Sequence, residues 1–169
     1  VRRIVSSRLV TDYEINDTAP VGGVLANLIK SAASAKDPLV NYMIWLAGEP
    51  LLARNPEPGL RWLVENGATT MPLSGILTRK SMRRLCDTGE TTNMNRAVDF
   101  LFAIGDLDAA FTLAALDGLV EGQQAKPLRP TIDPTAVLSK LNANGDPQVK
   151  ARARQLGTLW GDATAIEQT

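Results

Sequence analysis

Arg79, Lys80, Arg83 and Arg84 form the densest basic cluster of the chain. With Lys150, Arg152 and Arg154, and with Arg2, Arg3 and Arg8, they could line one side of a curved helical array. That is how a helical repeat tracks nucleic-acid phosphates, with an acidic residue such as Asp99 or Asp106 added if the site were also catalytic. Against this reading, 18 basic and 18 acidic residues cancel, so no global field draws the chain to nucleic acid or to an anionic membrane surface. Solvated arginines are also ordinary on helix faces.

The chain has no histidine, which closes Ser-His-Asp and Cys-His nucleophilic machinery, HExxH zinc chemistry and histidine proton shuttling. Carboxylate pairs, Ser-Lys arrangements and all-oxygen sites for magnesium or calcium remain open. Asp87-Thr88-Gly89 is the tripeptide of aspartic proteases, but that chemistry needs a strand-borne loop, and here the triplet follows a helical pattern that Gly89 would end. Asp12, Glu14, Asn16 and Asp17 have the look of a cation loop, yet Asp17 and Gly23 stand where an EF-hand needs glycine and glutamate. Neither tripeptide nor loop is expected to act.

Cys86 is the single cysteine, which excludes an internal disulfide, a zinc ribbon and a CxxCH haem attachment within these residues. It is expected to be buried and structural. Trp45, Trp62, Trp160 and Tyr42 are the side chains that would make binding hot spots, but Trp62 and Trp160 lie on or beside apolar stripes and are expected in the core. No catalytic, cofactor or metal residues are assigned, and no cofactor is expected.

These side chains need elements to position them, and the pattern throughout is helical. In GDPQVKARARQLGTLWGD, residues 145 to 162, Asp146 caps, Pro147 opens the helix, and Val149, Ala153, Leu156 and Trp160 form one stripe that Gly161 terminates. Asp37-Pro38 repeats the plan, aligning Val40, Ile44, Ala47, Gly48 and Leu51 with Val149, Ala153, Leu156, Gly157 and Trp160. Asn93 to Asp106 repeats it again, with Ala97, Phe100 and Ile104 in the corresponding places, and Leu107 to Val120 follows as its partner.

Further helices are expected from Asp17 or Thr18, with Val21, Val24, Leu25, Leu28, Ile29 and Ala32 on one face. Another begins at Pro56, with Leu60, Leu63 and Val64, and closes at Asn66-Gly67. A third spans about Pro72 to Leu85, with Leu73, Ile76, Leu77 and Leu85 inward and the four basic residues outward. Val1, Val5 and Leu9 suggest an opening helix inside a repeat, and Ala163 to Glu167 the start of a final one. Residues 122 to 134, GQQAKPLRPTIDP, are the one proline-rich loop.

About ten helices in antiparallel pairs and no alternating strand pattern predict an all-α, HEAT-like α-solenoid, a right-handed superhelix filling residues 1 to 169 as one domain. Glu49 interrupts one long apolar stretch and Asp106, Asp108 and Asp117 the other, so no membrane span is expected. The opening Val1 suggests a chain processed or cut from a longer one.

DPLVNYMIWLAGEPLL followed by LRWLVENGATTMPLSGILTRKSMRRL resembles the HEAT-repeat region of large planctomycete and verrucomicrobial proteins described as membrane-bound dehydrogenases or haem-binding-domain proteins. The likeness is best over residues 37 to 85. It implies a repeat module joining a sugar-dehydrogenase-like propeller to a c-type cytochrome domain, and an exported or periplasmic location. It places no haem on this chain, which lacks the attachment motif. The expected function is therefore a non-catalytic scaffold or protein- or peptide-binding module, using its concave face or joining adjacent domains of a parent chain. The alternative is a nucleic-acid-binding helical repeat, or an enzyme on that scaffold, using Arg79, Lys80, Arg83, Arg84, Lys150, Arg152 and Arg154.

Overall fold

In the computed structural model, residues 18–32, 37–124 and 126–161 are described. They are all-helical, with eight α-helices and no strand among them. These are α1 (Thr18–Ala32), α2 (Pro38–Arg54), α3 (Pro56–Asn66), α4 (Leu73–Asp87), α5 (Thr91–Ile104), α6 (Ala109–Gln123), α7 (Thr135–Asn142) and α8 (Pro147–Trp160). A short 3-10 turn, Ala68–Thr70, joins α3 to α4.

Side-chain caps set where several of these helices begin. Asp37 Oδ1 accepts from Leu39 N at 2.8 Å, and Asp146 Oδ1 accepts from Gln148 N at 2.7 Å and Val149 N at 3.2 Å, so both Asp-Pro pairs act as the sequence predicts. Asn55 caps α3 through Glu57 N at 3.3 Å, and Asp108 caps α6 through Phe111 N at 2.9 Å. Gly161 ends α8 at φ 75, and Gly89 follows α4 at φ 69, both left-handed positions that favour glycine.

The helices touch in two running series. α2 contacts α4, α4 contacts α6 and α6 contacts α8, while α3 contacts α5 and α5 contacts α7. Within successive helices, α1 meets α2, α2 meets α3, α4 meets α5, α5 meets α6 and α7 meets α8. The most extensive of these contacts is α4 on α6, and small residues allow it. A side chain at Gly118 would overlap the carbonyl oxygen of Arg79, and one at Gly122 would sit 2.7 Å from Cys86 Cβ. Such close backbone approach increases dispersion contact between the two helices.

The main core runs from Leu60 of α3 to Trp160 of α8 and includes the whole stripe Val149, Ala153, Leu156 and Trp160. Ala97, Phe100 and Ile104 are buried with it, as the sequence predicts. A smaller cluster, Ile29, Ile44, Leu73 and Leu77, lies at the α1–α2–α4 end.

Three expectations of burial need correction. Of the residues aligned between α2 and α8, only Ile44 is buried; Val40 and Ala47 are exposed, and Gly48 and Leu51 half-buried, because α2 has no helix of the described residues on its outer side. On α1, Ile29 is buried but Val24 and Leu28 are exposed for the same reason. On α4, Leu73, Leu77 and Leu85 point inward but Ile76 does not; Ser74, Thr78 and Ser81 take inward places where neighbours pack closely.

The proline-rich segment begins later than its composition suggests, since α6 continues through Gln123. Asn95 of α5 holds it by accepting from Thr131 N at 2.8 Å and donating to Thr131 Oγ1 at 2.7 Å. Helix α7, which the sequence pattern does not single out, follows at once; Asp133 accepts from Thr135 N at 2.9 Å at its start. The expected helices at Val1–Leu9 and Ala163–Glu167 lie outside the described residues.

Candidate functional site

The basic cluster of α4 divides between two neighbours. Arg79 donates through Nε to Glu121 Oε2 at 3.2 Å and through a terminal guanidinium nitrogen to the other oxygen of the same carboxylate. That hydrogen bonding holds the Glu121 carboxyl below its ordinary range, with the charges of Arg79, Arg83 and Arg152 adding to it. It also raises the Arg79 pKa, and the Asp117 charge contributes. From α8, Arg152 Nε donates to Asp117 Oδ1 at 2.6 Å. Asp117 and Glu121, one turn apart on α6, therefore lie among Arg79, Arg83 and Arg152.

Lys80 and Arg84 turn the other way, onto α2. The Lys80 ammonium lies 5.6 Å from the Tyr42 ring centroid and 5.5 Å from that of Trp45, within cation–π range. Arg84 Nε donates to Glu49 Oε1 at 2.6 Å. Lys150 is half-buried and Arg154 exposed on α8. The structure thus brings Arg79, Arg83 and Arg152 together, but with two carboxylates between them, and leaves Lys80 and Arg84 facing a different helix. Arg2, Arg3 and Arg8 lie outside the described residues.

Among the described residues, neither Asp106 nor Asp99 is ion-paired with these arginines. Asp106 pairs instead with Lys140 at 2.7 Å; Lys140 also donates to the Phe102 carbonyl at 2.7 Å and packs over the Phe102 ring, binding α7 to the end of α5. Asp99 is exposed on α5. Among the described residues no group of three or more cysteines and carboxylates is placed to hold a metal ion, and no helix is long and apolar enough to cross a membrane. Asp12, Glu14, Asn16 and Asp17 lie outside the described residues.

Cys86 is buried against α6, with Sγ 3.4 Å from the Met82 carbonyl oxygen. Burial pushes its thiol up to about 12, helped by the Asp87 charge, so it is the neutral thiol at physiological pH. Asp87-Thr88-Gly89 is a helix terminus: Thr88 Oγ1 donates to the Leu85 carbonyl at 2.7 Å, and Gly89 carries the turn.

The tryptophans separate into two roles. Trp160 is a core side chain whose Nε1 donates to the fully buried Gln123 Oε1 at 3.2 Å. Trp45 and Trp62 are half-buried and line a cleft of about 580 Å³ between α1, α2, α3 and α4. Ile29, Ile44 and Leu77 form its inner wall, while Arg54, Asn55 and Gly59 lie toward the α2–α3 junction. Its size falls in the range of ligand pockets, roughly 300–1,000 Å³, and its wall is mainly apolar.

On the opposite side of α2, Leu39, Tyr42, Met43 and Leu46 are 64%, 50%, 57% and 47% exposed. Their spacing of three, one and three residues puts them on one outward face. Sequence reasoning reaches Tyr42 and Trp45 as candidate hot spots but passes over Leu39, Met43 and Leu46. The signal is present in PLVNYMIWLAGEPLLAR, which is apolar all round rather than striped.

Comparison of the chain with protein-family models, with curated proteins and with solved structures returns no match.

Proposed function

We propose that the chain is a HEAT-like α-solenoid acting as a non-catalytic scaffold, and that the outward face of α2 holds a protein or peptide partner or an adjacent domain of a longer parent chain. The observation that carries this reading is the exposed set Leu39, Tyr42, Met43 and Leu46 on a helix whose other side already packs inward. A helix apolar all round is normally covered all round. Contacts between every second helix, in two series, support stacked antiparallel pairs. The resemblance of residues 37 to 85 to the HEAT region of large multidomain proteins supports a linking role and an exported setting.

The nucleic-acid alternative is weakened by Asp117 and Glu121, which offset much of the charge that Arg79, Arg83 and Arg152 would offer to phosphates. A salt titration with random duplex distinguishes the readings, because phosphate contacts make affinity fall steeply with salt.

The direct test of the proposal is the double substitution Leu39→Asp, Met43→Asp. Single surface changes away from packing cost within about 0.5 kcal/mol, so the variant is expected to keep its helical signal and nearly all its stability. It is also expected to lose the weak self-association that an uncovered apolar face gives the isolated chain, read by sedimentation at rising concentration. Loss of several kcal/mol in a urea titration would show that the face belongs to the core and would remove the basis of the proposal.

A further inference from the structure

We propose that Asn144, in the turn between α7 and α8, is a site of spontaneous deamidation through a cyclic imide, and that Asn66, in the chain's other Asn-Gly pair, is held out of the same reaction by the fold. The inference rests on the backbone around the two pairs and is independent of the scaffold reading.

Asn66-Gly67 and Asn144-Gly145 are the two Asn-Gly pairs of the sequence. In the reaction the backbone nitrogen after the asparagine loses its proton and attacks the side-chain Cγ. The new N–Cγ bond closes the ring, the Cγ–Nδ2 bond breaks, and Nδ2 leaves as ammonia with the proton. Water then opens the imide at either carbonyl, leaving aspartate or isoaspartate, so water enters and ammonia departs. Glycine at the second position removes the side chain that would hinder the attacking nitrogen. What decides the rate is whether that nitrogen is free and whether charge developing on Oδ1 meets a donor.

The two pairs differ on both counts. Gly67 N donates to the Leu63 carbonyl at 2.8 Å, Asn66 Nδ2 donates to the Trp62 carbonyl at 3.0 Å, and a side chain added at Gly67 would overlap the Phe111 ring. Attack there needs the end of α3 to unwind beneath core side chains. Gly145 is exposed, has nothing within 4 Å of an added methyl, and its N–H donates to no acceptor among the described residues. Asn144 Oδ1 accepts from Asp146 N at 2.9 Å, so a backbone donor already sits where negative charge forms as Gly145 N adds to Cγ. Asn144 Nδ2 donates to the Gly105 carbonyl at 3.2 Å, which ties the α7–α8 turn to the end of α5. Deamidation replaces that donor with a carboxylate facing a carbonyl oxygen, and isoaspartate also lengthens the main chain by a methylene just ahead of Asp146, the cap of α8. The product is thus a turn released from α5 and a weakened first turn of α8.

Incubation of the full chain in mildly alkaline buffer, below its unfolding temperature, tests the proposal when followed by peptide mass spectrometry with fragmentation to place the site and an isoaspartate assay. A gain of about one dalton is expected at Asn144, faster as pH rises because the attacking nitrogen must be deprotonated. Asn66 is expected to convert at least about a hundredfold more slowly, since it waits for a core helix to open, and to catch up in denaturing urea. Gly145→Ala, which meets no neighbour, should keep the fold and slow conversion about tenfold. Asn144→Asp should retain the helical signal, lower the urea midpoint and speed amide exchange in the first turn of α8; an unaltered midpoint and exchange would remove the structural consequence. Conversion of Asn66 as fast as that of Asn144 in the folded chain would overturn the proposal. So would conversion of Asn144 only in urea, or an unchanged rate in Gly145→Ala.

Discussion

At the scale of single residues, the glycines make opposite predictions that depend only on their surroundings. Gly118 faces the Arg79 backbone so closely that a methyl group overlaps it, so Gly118→Ala is expected to force α4 and α6 apart and cost about 3 kcal/mol in urea denaturation. Gly23, in the middle of α1, has nothing within 4 Å of an added methyl, so Gly23→Ala is expected to stabilise by about 0.5–1 kcal/mol through helix propensity. Cys86 makes a prediction in pH. Its folded pKa, about 12, stands above its ordinary 9.0, so its contribution is complete below pH 9.0 and is lost as pH rises from there toward 12. Over that window the urea midpoint of the wild-type chain should fall faster than that of Cys86→Ala, and below it Cys86 should resist thiol reagents until the chain unfolds. Equal slopes for the two proteins would contradict the burial of the thiol. The burial of Cys86 is legible in the sequence because a lone cysteine near a helix end with no partner base is expected to be structural. The division of Arg79, Lys80, Arg83 and Arg84 is not, because which neighbour each meets depends on the α4–α6 and α4–α2 packing rather than on α4 itself.

At the scale of elements, the sequence is most legible where a local signal fixes a boundary. Asp37-Pro38 and Asp146-Pro147 start helices through hydrogen bonds made within three residues, and Gly161 stops one through its own backbone angle. Asp146→Ala should therefore cost about 1 kcal/mol and speed amide exchange in the first turn of α8, a change that hydrogen-exchange mass spectrometry can locate. The proline-rich segment is legible as a loop, but its clamp is not, since Asn95 lies more than thirty residues earlier in the chain and ordinary asparagines on helices face solvent. Asn95→Ala should hasten proteolytic cleavage between residues 126 and 134 while global stability falls by no more than about 1–2 kcal/mol. Unchanged cleavage would mean that the prolines alone hold the segment. The burial of α2 is where pattern reasoning misled. Aligning it with α8 transfers a one-sided stripe to a helix that is apolar on both sides, and periodicity cannot tell a covered face from an uncovered one.

At the scale of the whole molecule, the helical class follows from the absence of strand periodicity and the recurrence of capped apolar stripes. Alternate helices contact one another in two series among the described residues. The core is thick from α3 to α8 and thin at α1 and α2, where the cleft and the outward apolar face both occur. Neither feature could be read from motif chemistry, because each is made by the relation of several helices rather than by a spaced set of reactive residues. The four methionines sample this gradient directly: Met43 is 57% exposed on α2, Met71 is half-buried, and Met82 and Met94 are fully buried. Dilute peroxide oxidation of the isolated chain, followed by peptide mass spectrometry, measures their accessibility. The scaffold reading predicts that Met43 oxidises first and fastest, Met71 more slowly, and Met82 and Met94 only at the rate of global opening. Protection of Met43 equal to that of Met82 and Met94 would contradict it, because the face proposed for a partner would then already be covered.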